Sequence, residues 1–299
     1  MRLGRYTFMC VFESEAVLPA YKGSTFRGVF GHAFKGVVCA LKHRDCAECL
    51  LSGRCLYPQV FEPVPDPRPG VSRKRIAVPP HPYVIQPPAD SKTVYNAQDP
   101  FEFSLMLFGE FNKSLPYFVY AIEQMGSAGI GRRVNGKAGS YRLAGVTARG
   151  HEVYSGAHRA PVKGDFDREV NPQELVDLTD HDRARDTIGI RLLTPLRLKH
   201  QNRLVPELPF HVLVRAALRR ASALFERFDG AEPALDYRGL VRRAERVRTA
   251  ASAVRWHDWR RYSTRQEAAM LMGGMTGEVV YEGELGEFMP LLRFCEQVH

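Results

Sequence analysis

The sequence has no apolar run approaching the ~18 to 20 residues needed to span a bilayer as a helix. Its first fifteen residues mix Arg2, Arg5, Glu13 and Glu15 with apolar positions. Neither a membrane span nor a signal or transit peptide is visible, so the expectation is a cytoplasmic chain with no membrane partner. Also missing are G-x-S-x-G, H-E-x-x-H and any carboxylate pair at a helical spacing that would build a two-metal nuclease, which leaves serine-hydrolase, zinc-protease and two-metal nuclease chemistry without support. Cysteine is scarce, with six in 299 residues. With 44% hydrophobic and 25% charged residues, the composition excludes disordered, collagen-like and fibrous classes.

Positive charge is in excess, with 42 Lys and Arg against 33 Asp and Glu for a net +9. That balance points to a polyanionic partner such as nucleic acid. The excess is regional. Between Arg215 and Arg265 there are 13 arginines, no lysine and six acids, net +7. Within this stretch Trp256, His257, Trp259 and Tyr262 interleave with Arg255, Arg260 and Arg261, which suits base stacking with phosphate contact. A strand with its aromatic side in the core and its basic side in water explains the same pattern.

Four of the six cysteines, Cys39, Cys46, Cys49 and Cys55, fall in one short stretch. A Cys-x2-Cys core with one cysteine on each side fits a structural Zn²⁺ knuckle, since four thiolates close one tetrahedral site. Four reduced thiols are the other reading.

Alternation of Tyr6, Phe8, Cys10 and Phe12 predicts a first strand over residues 5–13. From Phe26 to Leu41 the apolar residues recur at steps of three and one, which predicts an amphipathic helix capped by Ser24 or Thr25. Residues 58–88 hold ten of the twenty prolines and are expected to form an ordered surface loop. Strands over 101–107 and 141–146, a helix over 115–125 and a short strand at 83–85 complete the order β-α-β-β-α-β, the split βαβ plan of ferredoxin-like domains. Residues 151–185 lack a period and read as a linker or insertion. A second run follows: strand 187–198, helix 210–228, basic helix 237–249, strands 253–262 and 278–285, and helix 288–298. The fold class is thus α+β, with two tandem ferredoxin-like (RRM-like) domains over 1–150 and 186–299. The first carries the Cys- and Pro-rich insertion at 39–88. The second lacks its last strand.

On the first helix, Arg27, Gly31, Lys35 and Lys42 lie opposite the apolar stripe, flanked by Gly28 and His32. A phosphodiester approaching such a face would meet lysines to hold its oxygens and an imidazole to move a proton. An ordinary solvated helix face is the competing reading. Between Gly126 and Gly139, a basic glycine-rich loop carries Arg132, Arg133 and Lys137. It nearly spells a P-loop, but Ala138 stands where Ser or Thr would hold Mg²⁺, so nucleotide hydrolysis is rejected and contact with an RNA backbone kept, beside a plain flexible turn.

Leu18-Pro-Ala-Tyr-Lys-Gly-Ser-Thr-Phe-Arg-Gly-Val-Phe-Gly-His32, the four cysteines, and Tyr57-Pro-Gln-Val-Phe-Glu62 resemble the opening of CRISPR-associated RAMP-superfamily proteins, the pre-crRNA-processing endoribonucleases. Three further segments keep the family's order: 129–143, Leu193-Thr-Pro-Leu-Arg-Leu-Lys199, and 273–299. The resemblance implies two ferredoxin-like domains that bind CRISPR repeat RNA and cut pre-crRNA without a metal or other cofactor. In that reaction the ribose 2′-OH attacks the adjacent phosphate, leaving a 2′,3′-cyclic phosphate and a 5′-OH. It also implies His32 as general acid or base, Lys35 or Lys42 as stabiliser of phosphorane charge, and Tyr21 as a second proton-transfer or orienting group. Arg27, Arg132, Arg133, Lys137, Arg255, Arg260 and Arg261 are the expected RNA contacts. In the family a glycine-rich loop and a terminal strand follow the segment ending here at His299, so an edge open to homodimerisation is expected. A non-catalytic RNA-binding subunit of a CRISPR effector complex is the alternative function.

Overall fold

A computed structural model describes residues 1–42, 45–62, 79–158, 160–161, 164–263 and 268–298. The chain forms two units, Met1–Val170 with Arg227–Asp229, and Asn171–Glu226 with Gly230–His299.

In unit 1, chain order runs β1 (Arg2–Phe12), β2 (Ala16–Val17), α1 (Gly23–Val38), α2 (Leu56–Phe61), β3 (Tyr83–Gln86), β4 (Val94–Tyr95) and β5 (Pro100–Phe108). It continues with α3 (Leu115–Ala128), β6 (Ile130–Val134), β7 (Lys137–Gly139), β8 (Tyr141–Ala148), β9 (His151–Ser155), β10 (Ala160–Pro161) and β11 (Arg168–Glu169). The main sheet has the order β10-β9-β8-β1-β5-β3, with β11 also paired to β1, and every pairing is antiparallel. Alternation in β1 puts Tyr6, Phe8, Cys10 and Phe12 inside, as the period of two demands. The register sets Phe8 opposite Phe103, with their rings stacked 5.2 Å apart. The helices close the core through Phe30 and Phe34 of α1, which meet Phe118 of α3 at 5.9 and 4.8 Å. A smaller sheet has the order β4-β2-β6-β7.

Three expectations in unit 1 change. Helix α1 begins at Gly23 with Lys22 at its cap position and no side-chain cap, so neither Ser24 nor Thr25 caps it. Within the proline-rich stretch, Pro58 sits in the first turn of α2, where a missing N–H costs nothing, and β3 follows; residues 63–78 lie outside the described residues. Residues 151–155, expected to link domains, are β9 on the sheet edge, held there by buried Val153 and Tyr154.

Unit 2 contains α4 (Asp180–Arg183), β12 (Thr187–Leu196), most of α5 (Phe210–Phe228), α6 (Tyr237–Ala244), β13 (Arg248–Ser252), β14 (Arg255–Ser263), β15 (Ala268–Glu282) and α7 (Met289–Val298). The order is β12-β15-β13, with β14 also on β15. The C-terminal half of β15 lies between β12 and β13, while its N-terminal half pairs with β14, from Thr276↔Arg255 to Ala268↔Ser263, and also meets β12 at Met275↔Leu196. Gly277, at φ +115°, marks the junction; a Cβ there would lie 2.3 Å from the Ala253 carbonyl oxygen. The core beneath is aromatic, with Phe210 against Tyr281 at 4.9 Å and Phe225 against Phe294 at 5.7 Å. The basic helix expected over 237–249 stops at Ala244, and its tail becomes β13. The strand expected to begin at Glu278 begins ten residues earlier, at Ala268.

Candidate nucleic-acid interface and active site

Phe26, Phe30 and Phe34 anchor α1 in the core at no exposure, which turns Gly28, His32 and Gly36 outward on successive turns. Around the Cβ positions of Gly28 and Gly36 there is nothing within 4 Å. The exposed His32 imidazole therefore stands between two bare patches of helix backbone. Lys35, one turn beyond His32, is half-buried and lies 5.3 Å from the Tyr57 ring centroid, a cation–π arrangement that restrains its ammonium. Lys42 is exposed past the end of α1. Tyr21 precedes the helix and covers Gly23, where a Cβ would come within 2.5 Å of the Tyr21 hydroxyl. Burial raises the Tyr21 phenol above its ordinary pKa.

Two anchoring groups were not legible in the sequence. Lys22 is 1% exposed, and its ammonium donates to the Asp90 backbone carbonyl at 2.6 Å and to Asp90 Oδ1 at 3.2 Å. The Tyr95 hydroxyl donates to the same Oδ1 at 2.8 Å. This pair, buried on its Lys22 side and exposed at Asp90, ties the start of α1 to the segment before β4. Asp90 titrates below the ordinary carboxylate range: burial alone would raise it, and the bonds from Tyr95 and Lys22 outweigh that. The second group is His81. Its Nδ1 is 2.9 Å from the Val60 carbonyl oxygen, and its Nε2 is 3.1 Å from Arg27 Nη2.

Arg27, expected to contact RNA, is engaged within the fold. Its guanidinium donates to the Tyr83 hydroxyl at 2.9 Å and lies 5.5 and 5.9 Å from the Tyr83 and Phe61 ring centroids. It thus joins α1 to α2 and β3. The glycine-rich segment expected as a loop is the β6–β7 hairpin. Asn135 and Gly136 turn it at φ 51° and 80°, the left-handed pair of a type I′ turn. Gly131, at φ +95°, lets β6 approach β2 so closely that a Cβ would lie 2.4 Å from the Val17 carbonyl oxygen. Strand β6 also packs against α1. Arg132, Arg133 and Lys137 are all exposed on this hairpin, so unit 1 gathers them with the His32 helix.

The remaining candidates lie in unit 2. Arg255 and Arg260 are exposed on β14, where the His257 and Trp259 rings stack at 6.1 Å and 18°. Trp256 Nε1 donates to Asp258 Oδ1 at 2.8 Å. The Arg261 side chain and Arg265 lie outside the described residues.

The cysteines stand as the second of the two readings has them. Cys39 closes α1, Cys46 and Cys49 bracket a 3₁₀ turn, and Cys55 precedes α2. All four are free, half-buried thiols. Among the described residues no group of three or more His, Cys, Asp or Glu side chains is arranged to hold a metal ion. No described helix is long and apolar enough to cross a membrane.

Comparison with known proteins follows the division of the chain. Residues 1–165 match the family model AF_1859_N, an N-terminal domain, and residues 190–299 match that of the CRISPR-associated endoribonuclease Cas6. An uncharacterized protein of Archaeoglobus fulgidus is 27% identical over 141 residues, 46% of this chain and 45% of that protein. The match therefore spans less than half of that relative's length. Among solved structures, a Cas6 product complex is similar over 99% of this chain and 93% of that one, with TM-score 0.55 and 16% identity. Thermus thermophilus Cas6 is similar over 99% and 91%, with TM-score 0.53 and 16% identity. A partial Cas6-RT-Cas1–Cas2 complex is similar over 99% of this chain but 43% of that one, with TM-score 0.55 and 12% identity. At these identities the likeness is one of fold, a mixed α+β architecture of antiparallel sheets. The chain thus belongs, by its N-terminal domain over residues 1–165, to the AF_1859_N family, and its residues 190–299 match the CRISPR-associated endoribonuclease Cas6, the kind of protein that its motifs resembled.

Proposed function

We propose that the chain binds CRISPR repeat RNA and cleaves pre-crRNA at the exposed face of α1, using no metal. The observation that carries this reading is the stripe Gly28, His32 and Gly36, a lone imidazole with open backbone one turn before and after it. A phosphodiester can lie against such a surface with no side chain intervening.

The reaction balances with protein groups alone. A general base removes the proton of the ribose 2′-OH, and the oxygen attacks the adjacent phosphorus. The P–O5′ bond breaks, and a general acid returns a proton to the leaving 5′ oxygen. The products are a 2′,3′-cyclic phosphate and a 5′-OH. His32 takes one proton-transfer role and Tyr21 the other or an orienting one. Lys35, restrained against Tyr57, offsets charge on the phosphorane, with Lys42 as a further cation. Arg132, Arg133 and Lys137 hold the backbone beside α1, and Arg255, Arg260 and Arg261 with the His257–Trp259 stack form a second contact in unit 2. The fold reading that accompanies this is a tandem one: strands β8-β1-β5-β3 follow the order of the split βαβ plan, and β12, β13 and β15 make three strands of a second copy.

The test is incubation with repeat RNA in EDTA, followed by analysis of the product ends. The expected result is one discrete cut with a cyclic phosphate, abolished in His32→Ala with affinity retained. Tight, strongly salt-dependent binding with no cut by the natural protein would overturn the catalytic reading and leave the effector-subunit role.

A further inference from the structure

A cavity of about 630 Å³ opens in unit 1, lined by no residue of α1. The start of β1, the approach to α3 and its outer side, β9, and the segment Gly164–Asp167 wall it. Its size lies within the range of ligand-binding clefts. Leu115, Val119 and Val153 make an apolar floor and are almost fully buried. The polar groups inside are already paired: the Tyr6 hydroxyl donates to Asn112 Oδ1 at 3.0 Å, and the Tyr154 hydroxyl donates to Glu123.

The rim settles the charge of the occupant. Four carboxylates line it, from Glu110, Glu123, Asp165 and Asp167, against two cations, Arg2 and Lys113. Arg2 is tied to Asp167, with Nη2 donating to Oδ1 at 2.9 Å, and Lys113 to Glu110. Arg2 Nη2 also lies 3.6 Å from Asp165 Oδ1, and the Asp165 side chain stays 87% exposed, so solvent and an incoming cation still reach it. On a chain of net charge +9, this is a locally acidic mouth that repels a phosphate backbone and attracts a cation. Tyr120, on the lining, and Tyr117, beyond it, are 51% and 53% exposed, so the aromatic surface runs past the cavity along α3. Exposed tyrosines beside an apolar pocket are characteristic of protein interfaces.

We propose that this cavity receives a short segment of a partner protein in which an apolar side chain stands next to a lysine or arginine. The apolar side chain fills the floor. The neighbouring cation sits between Asp165 and the Tyr120 ring, where Coulomb and cation–π attraction act together. The surface extending to Tyr117 accommodates flanking residues that a small molecule would not reach.

The test is selection from a random phage-displayed peptide library against the immobilised full chain, followed by affinity measurement with a synthetic peptide of the recovered consensus. The expected consensus pairs an apolar residue with Lys or Arg. Tyr120→Ala and Asp165→Asn, both at exposed positions, each weaken the peptide by about tenfold or more. Recovery of no peptide, a consensus without basic residues, or unchanged affinity in both variants overturns the proposal. Displacement of the peptide by repeat RNA also overturns it, since the face would then belong to nucleic acid.

Discussion

The Arg27 guanidinium lies 3.1 Å from His81 Nε2, and the other ring nitrogen of His81 lies 2.9 Å from the Val60 carbonyl oxygen. A carbonyl oxygen only accepts, so Nδ1 donates there and Nε2 is left to face Arg27. The imidazole thereby bridges α1 to α2.

Removing the imidazole should cost stability. His81→Ala takes away the groups facing Arg27 and the Val60 carbonyl, and is expected to lower the unfolding free energy measured in urea by about 1–2 kcal/mol. An unchanged value in the variant would mean that the pair contributes nothing.

The glycines of α1 should respond oppositely to the same substitution. Gly28→Ala and Gly36→Ala add a methyl in open space and should stabilise by about 0.5–1 kcal/mol each. At Gly31 a Cβ would lie 3.1 Å from Phe61 Cε1, so Gly31→Ala should lose that gain or destabilise. Urea unfolding distinguishes the three. Gly28→Leu and Gly36→Leu should fold normally yet reduce RNA cleavage about tenfold or more, because the side chains shield His32; undiminished cleavage would place the reaction elsewhere.

The basic hairpin should act through charge and not through base identity. Replacing Arg132, Arg133 and Lys137 together with Ala is expected to weaken single-stranded RNA binding equally across sequences. The slope of log K against log salt should fall by about 0.7 for each lost phosphate contact. An unchanged slope would show that the three do not touch RNA.

An acid-sensitive pair lies in unit 2. Arg293 Nη1 donates to Asp182 Oδ1 at 2.6 Å. That bond, opposed by burial and supported by Thr179, holds the Asp182 carboxyl well below its ordinary pKa. A depressed carboxylate contributes its full stability above the unfolded value of ~3.9 and loses it progressively as pH falls toward the folded value. The gap in urea unfolding free energy between wild type and Arg293→Met should be widest at pH 7 and narrower at pH 3, without closing there; an equal gap at both would show that the pair does not carry this dependence.

Elements with a strong internal period were legible in the sequence: β1 from its alternating aromatics, and α1, α3 and α5 from their apolar stripes. Hidden were features made by distant partners. Residues 268–277 read Ala-Ala-Met-Leu-Met-Gly-Gly-Met-Thr-Gly, with no alternation and one β-branched side chain, so it is pairing with β14, and with β12 at Met275 and Gly277, that makes them a strand. His32 and Lys35 could be placed on one helix from spacing alone. That Arg27 is enclosed by Tyr83 and His81 could not, because those partners are more than 50 residues away in sequence.

Strand β15 has 15 residues, about 50 Å of chain at ~3.3 Å per residue. One end forms half of the exposed β14 ribbon, and the other is the middle strand beneath α5. The two ends form one continuous beam with Gly277 as its elbow. A load applied at Arg255 or Arg260 on the ribbon would therefore pass into the centre of the unit 2 sheet, along the same strand that organises the core.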